Sequence, residues 1–358
     1  MKKLFLSLVA AMMCATAMYG QGSLLATLSH DGEISAFYGV DALKSAMAAA
    51  ENGDVITLSS GQFNAANIDK AVTLRGAGMS INTDSVNSHG STLIQNNLTI
   101  NLADTITGRL VMEGLYMKND IKYSGHIKNA QFLKCRFSDF AAANDSAKMT
   151  NAAFIHCRIF YGFYMVANSS AYFVNCAVSC PRSEAASSSI EFDNCFVKFD
   201  DYRSTVYASN VVNSLYKNCI IQETKGRAGN SSYTYSNYAI PYTCTAYNCV
   251  GLGYSDLFGN MPSGNKTNKY VSNISSVFKS YNVIGYNTHV RDDYNFELTE
   301  TAATTYLGLD GTQVGIYGGN LPYDENPTIP QITKCNVASK STADGKLSVD
   351  IEVKAAAY

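Results

Sequence analysis

Phe132-Leu133-Lys134-Cys135-Arg136-Phe137 is the first clear copy of a pattern that returns along the chain. It recurs as Phe154-Ile155-His156-Cys157-Arg158-Ile159, Phe173-Val174-Asn175-Cys176-Ala177-Val178, Phe192-Asp193-Asn194-Cys195-Phe196-Val197 and Tyr216-Lys217-Asn218-Cys219-Ile220-Ile221. A weaker copy is Ala246-Tyr247-Asn248-Cys249-Val250-Gly251, and Val111-Met112-Glu113-Gly114-Leu115-Tyr116 reads as an earlier relative with Gly114 at the cysteine position. The steps between successive cysteines are 22, 19, 19, 24 and 30 residues. Self-similarity at such a period is the mark of stacked repeats, because one short unit cannot bury its own apolar face.

Each copy carries two period-2 patterns. An aromatic residue stands three before the cysteine in the five clear copies, with a mostly small residue two before that; the cysteine and the residue two beyond it are apolar. Period 2 means strand. The two patterns are out of phase, so a bend must lie between the aromatic and the cysteine if both sets are to face inward. Asn175, Asn194, Asn218 and Asn248 occupy the place just before the cysteine. Asparagine tolerates the left-handed backbone conformation such a corner needs. Stacked at successive corners, these asparagines are expected to hydrogen-bond to one another in a ladder. Cys135, Cys157, Cys176, Cys195, Cys219 and Cys249 are expected to form a buried column of small apolar residues, mostly unpaired. Cys244 with Cys249 is the best candidate disulfide, since the two flank one corner.

The pattern resembles that of right-handed parallel β-helix proteins of the pectin-lyase-like type, which many bacteria secrete. The ends fit the same resemblance. Asp41–Ala50 reads as an Ala-rich amphipathic helix stopped by Asn52-Gly53-Asp54, a cap over the otherwise open end of the stack. The stretch Asp310–Gly319 and the segment that follows it to Pro330 resemble the closing segment of secreted Bacteroidetes β-helix proteins. A leucine-rich repeat fits less well, because leucine is sparse and no helical stretch separates the copies. The expected architecture is all-β: a single β-helix of roughly ten coils over residues 21–332, then a short β-hairpin tail at 333–358 around Asp344-Gly345, packed on the last coils.

Residues 1–20 read as a secretory leader, with Lys2 and Lys3 before a short apolar run and small residues at Ala15 and Ala17. That run is too short to span a bilayer, which takes ~20 residues. The expected destination is therefore export: secreted, periplasmic or cell-surface, with no membrane span. Nine cysteines remain after Cys14 leaves with the leader; an odd number leaves at least one thiol unpaired. The chain has 358 residues, 46% apolar and only 16% charged, against ~25% charged in average proteins. Its net charge of −2 argues against nucleic-acid binding, which needs a dense basic surface.

The resemblance implies polysaccharide cleavage as one chemistry open to this fold. Asn82-Thr83-Asp84 matches the first hydrolase motif, yet no Asp-Asp or Gly-His-Gly follows at coil spacing. Elimination would need a basic residue and Ca²⁺, the one cofactor implied and only under that alternative. No metal-ligand spacing is present. Lys134, Arg136, His156 and Arg158 flank the early cysteines and are expected to share one exposed basic face, able to grip an anionic glycan or simply to stay solvated. Tyr123, Tyr164 and Tyr207 stand twelve residues before a repeat cysteine. Exposed, they would suit a sugar ring; an inward aromatic stack gives the same spacing and is the favoured reading. The expectation is a largely non-catalytic scaffold with glycan-binding capacity; the alternative is a lyase acting on a uronic-acid polymer.

Overall fold

The computed structural model describes residues 24–80, 90–183, 185–200, 210–224, 239–253, 257–259, 267–280, 290, 294–326, 331–337, 340–341 and 344–354. The leader at 1–20, the Asn82-Thr83-Asp84 match and Tyr207 lie outside the described residues.

The chain winds into a right-handed parallel β-solenoid. One sheet stacks nine parallel strands, from Val55–Leu58 through Gln131–Leu133, Ala152–Ile155, Ser170–Val174 and Ser189–Asp193 to Thr245–Tyr247. A second sheet, reached after each cysteine, stacks ten, from Gly61–Asn64 through Arg136–Ala142, Arg158–Tyr164 and Phe196–Asp200 to Lys269–Val271. Shorter strands such as Ile121–Lys128 and Lys148–Thr150 form a third side in the early coils. Nine strands define about eight turns, fewer than the ten expected, because the chain beyond Val271 leaves the coil. At ~4.8 Å per step the stack is about 40 Å long.

The register places Phe132, Phe154, Phe173, Phe192 and Tyr216 directly over one another. Their rings stack at centroid distances of 4.6, 4.6, 5.1 and 5.1 Å, with interplanar angles between 11 and 16°. Each contact adds ~0.5–1.5 kcal/mol beyond the burial of its area. The six repeat cysteines are fully buried beside this column. Each of the first five donates its thiol to a carbonyl on the coil below: Cys135 to Met112, Cys157 to Phe132, Cys176 to Phe154, Cys195 to Phe173 and Cys219 to Phe192, at 3.2–3.4 Å. A thiol is small enough for the crowded corner and still offers a weak donor to a carbonyl there, which alanine does not. Cys244 and Cys249 are both free, so the expected bridge between them is absent.

The bend is the expected left-handed corner. Asn175, Asn194, Asn218 and Asn248 have φ of 49, 50, 54 and 51°, and Lys134 and His156 share the conformation at 50 and 54°. The register also corrects the earlier relative. Met112 pairs with Phe132 and Tyr116 with Arg136, so Gly114 stands at the corner and buried Leu115 takes the cysteine's place. A second left-handed corner, six residues before the cysteine, holds Asn129, Asn151 and Asn213.

The cap is a helix at Ala42–Ala49, whose Leu43, Ala46 and Met47 face the core. An antiparallel hairpin, Leu25–His30 with Glu33–Tyr38, extends the first sheet beside it. The tail forms the expected hairpin, Gln331–Val337 with Val349–Lys354. It is a sheet of its own. Leu347, Val349, Ile351 and Val353 are about half exposed, so this face is not packed on the last coils as expected.

Candidate functional site

The site-bearing surface is the outer face of the second sheet. The residue after each repeat cysteine points outward there, and pairing aligns Leu93, Tyr116, Arg136, Arg158, Ala177, Phe196, Ile220 and Val250 in one column. The chain from residue 277 onward folds back across the later part of this column. Phe278, Phe296, Leu298, Val314 and Ile316 bury Ala177, Phe196, Ile220 and Val250 in a second apolar core, with Phe296 4.8 Å from Phe196 between ring centroids.

The closing segment then climbs back along the corners. Asn248 donates to the Leu307 carbonyl, the Asn218 side-chain oxygen accepts from Leu309 N–H, and Asn175 donates to the carbonyls of Ile316 and Gly318, both at 2.8 Å. The expected asparagine ladder is therefore not made at this corner: of the four, Asn175, Asn218 and Asn248 use their amides to hold the closing segment. An inter-coil asparagine bond occurs at the other corner, Asn151 to Asn129 at 3.3 Å. Gly318 and Gly319 permit the close approach, since a Cβ on Gly319 would lie 2.3 Å from the Asn194 amide nitrogen.

The same segment covers most of the basic residues, which corrects the expected exposed face. Lys134 is buried, with its ammonium 2.8 Å from Asp324 and from the Asn326 carbonyl. His156 is buried and donates from Nε2 to the Leu321 carbonyl at 2.9 Å. Burial holds its pKa below the ordinary value of 6.5 and the Lys134 charge adds to this, against the pull of the Leu321 carbonyl. Arg158 is buried too, donating from Nε to the Tyr323 hydroxyl at 2.7 Å and paired through Nη2 with Glu325. Burial works against its charge, but Tyr323 and Glu325 outweigh this and raise its pKa.

Arg136 is half-buried one coil before Arg158. Its guanidinium sits 4.1 Å from the centroid of Tyr116 and 4.7 Å from that of Phe160. Together with Arg158, Glu325, Ser80, Ser91, Leu93 and Met79, Arg136 and Tyr116 line a cleft of about 310 Å³. Ser80 donates to the second oxygen of Glu325 at 2.7 Å. Arg136 and Arg158 thus share the cleft wall with the Glu325 carboxylate.

The tyrosines do not form one stripe. Tyr123 is fully buried against Phe140 and has no surface to offer a glycan. Tyr164 is half-buried under the Arg182 guanidinium and lines a different shallow cleft, with Asp145 and Ala185. Sequence reasoning missed Tyr116, Glu325 and Ser80. One signal was present: the position after the cysteine changes from Arg136 and Arg158 to Ala177, Phe196, Ile220 and Val250, and outward apolar residues require a cover.

Among the described residues, Glu325 is the one carboxylate that lines this cleft. Asp139, three residues beyond Arg136, is raised to about 6 by burial and then by the neighbouring Asp120 charge. Among the described residues, no three His, Cys, Asp or Glu side chains gather as a metal site. No helix among them is long and apolar enough to cross a membrane. Compared with known proteins, the chain matches no protein family, no curated protein and no solved structure.

Proposed function

We propose that the protein is an exported or surface-displayed β-solenoid of the pectin-lyase-like kind that binds an anionic glycan in the cleft between Tyr116, Arg136 and Glu325. The stacking of Arg136 on Tyr116 carries this reading. A planar guanidinium presents paired donors matched to a carboxylate, and an aromatic ring offers an apolar face to a sugar. At about 310 Å³ the cleft is at the small end of ligand sites and suits one or two sugar units. Buried thiols fit an exported protein, because a thiol without solvent access is inert to oxidants. The leader-like residues 1–20 point the same way.

The polyuronate-lyase alternative finds less support. A general base must release its own proton first, and Arg158 is held as a cation by Glu325 and Tyr323. The test is titration of galacturonate and glucuronate oligomers, followed calorimetrically, with absorbance of unsaturated products recorded in parallel. Binding that weakens at least ~10-fold in Arg136→Ala, is unchanged in Tyr164→Ala and yields no unsaturated product supports the reading. Binding indifferent to both Arg136→Ala and Tyr116→Ala would overturn it, and turnover lost in Arg136→Ala would establish the lyase.

A further inference from the structure

The third side of the early coils carries a second constellation, which shares no residue with the lining of that cleft. Asp104 lies in the turn after the strand Leu98–Leu102, His126 on the strand Ile121–Lys128, and Thr150 at the end of Lys148–Thr150. Three successive coils therefore bring the three residues together. Asp104 Oδ1 is 2.7 Å from His126 Nδ1, and His126 Nε2 is 3.0 Å from Thr150 Oγ1.

The chemistry fixes the direction of these bonds. A carboxylate only accepts, so Nδ1 carries a proton, and in the neutral imidazole Nε2 then presents its lone pair to the Thr150 hydroxyl. His126 and Lys128 both hydrogen-bond Asp104 and lower its pKa, His126 more strongly, so Asp104 stays ionised. That is the order carboxylate, Nδ1, Nε2, hydroxyl by which a weak nucleophile is activated, recognised by geometry and not by sequence order. Lys148 stands opposite His126 in the register and shares a strand face with Thr150, two residues on. Its exposed ammonium brings positive charge to that face, of the sign an oxyanion needs. One residue past Thr150 begins a cleft of about 240 Å³ lined by Asn151, Ser170, Tyr172, Ser189, Glu191 and Leu215. Tyr172 is 42% exposed there, beside two hydroxyls and a carboxylate, a surface suited to a sugar.

We propose that Thr150, His126 and Asp104 form a nucleophilic relay that hydrolyses small acyl esters carried on carbohydrate hydroxyls. Thr150 Oγ1 bonds to the ester carbonyl carbon as its proton passes to His126 Nε2. The carbonyl π pair moves onto oxygen, facing Lys148. Collapse breaks the bond to the sugar oxygen, which leaves with the proton from Nε2. Water then attacks the acyl-threonine by the same route, releasing the carboxylic acid and restoring the hydroxyl. The inference does not rest on the Arg136 cleft.

The test uses the full chain with p-nitrophenyl acetate and with glucose pentaacetate, combined with peptide mapping of the acetylated protein. The expected result is acetate release from both, an acetyl group trapped on Thr150, and rates at least ~100-fold lower in Thr150→Val and His126→Gln. Thr150→Ser, which keeps the hydroxyl, retains activity, and all variants keep the wild-type far-UV dichroism. A merely structural role for the three predicts equal rates in wild type and Thr150→Val. That result, or acetylation confined to Lys128 and Lys148, overturns the proposal. Turnover of p-nitrophenyl acetate alone overturns its carbohydrate-ester part.

Discussion

Early and late coils share one inner face and differ in their outer one. Inside, phenylalanine and cysteine repeat unchanged from Phe132 and Cys135 to Phe192 and Cys195. Outside, the column after the cysteine runs Tyr116, Arg136, Arg158 in the early coils and Ala177, Phe196, Ile220, Val250 in the later ones. The late coils give their outer face to a second core beneath Phe278 and Phe296, whereas the early coils keep theirs for polar groups. Arg158 sits at the boundary, inside the cover and neutralised by its last residues. A solenoid thus holds a cleft where its own wrapping stops. The repeat provides the rigid floor and the non-repeating segment provides the rim.

Phenylalanine truncation separates the two cores most strongly. Phe173→Ala removes the middle ring of the inner stack and costs about 4 kcal/mol, lowering the urea midpoint of the whole coil. Phe296→Ala costs about 3 kcal/mol. Its effect falls on the cover, so hydrogen exchange accelerates in residues 294–326 while the strands at Phe132 and Phe154 stay protected. Equal acceleration in both regions would merge the two cores into one cooperative unit and break the comparison.

Glu325→Gln probes the boundary. It leaves the buried Arg158 cation without its counter-charge; because Glu325 is a third exposed, the cost is about 1–3 kcal/mol, below that of a fully buried pair. Thermal unfolding measures it. A variant as stable as wild type would show that the rim is not held by this pair.

The smallest effect is that of pH. Folding favours neutral His156, so the unfolded chain takes up the proton first. The contribution of His156 is present above the ordinary value of 6.5 and is lost as pH falls below it. His30 works in the opposite sense, since the hydrogen bond to Asp54 raises its pKa. The informative quantity is therefore the difference between wild type and His156→Gln. The wild type should lose more stability than the variant between about pH 7.5 and about pH 5.5. Parallel curves would remove His156 from the seam.

What the sequence disclosed follows from distance along the chain. The cysteine file, the aromatic file and the left-handed corner are each written five or six times within short windows, so alignment of the chain on itself reveals them. The cover is written once, in residues that meet their partners 59 to 245 positions away, as Asn248 meets Leu307 and Ser80 meets Glu325. Lys134 and His156 therefore read as surface residues, and Asn175, Asn218 and Asn248 as rungs of one asparagine ladder. Asn129, Asn151 and Asn213 marked the second corner in plain view, six before the cysteine, and went unread because they precede small residues and not the aromatic. The Asp104–His126–Thr150 cluster could not be seen, because only the coil register brings residues 22 and 24 positions apart to hydrogen-bond distance.

Peptide-mapped thiol alkylation, native against urea-unfolded, tests the central claim most directly. Burial holds Cys135 at a pKa of about 12 and pushes Cys176, Cys195, Cys219 and Cys249 well up as well, so native protein should leave all of these and Cys157 unmodified. They should then react together across the unfolding transition. Ready modification of several of them in the native protein would contradict a stacked, closed interior.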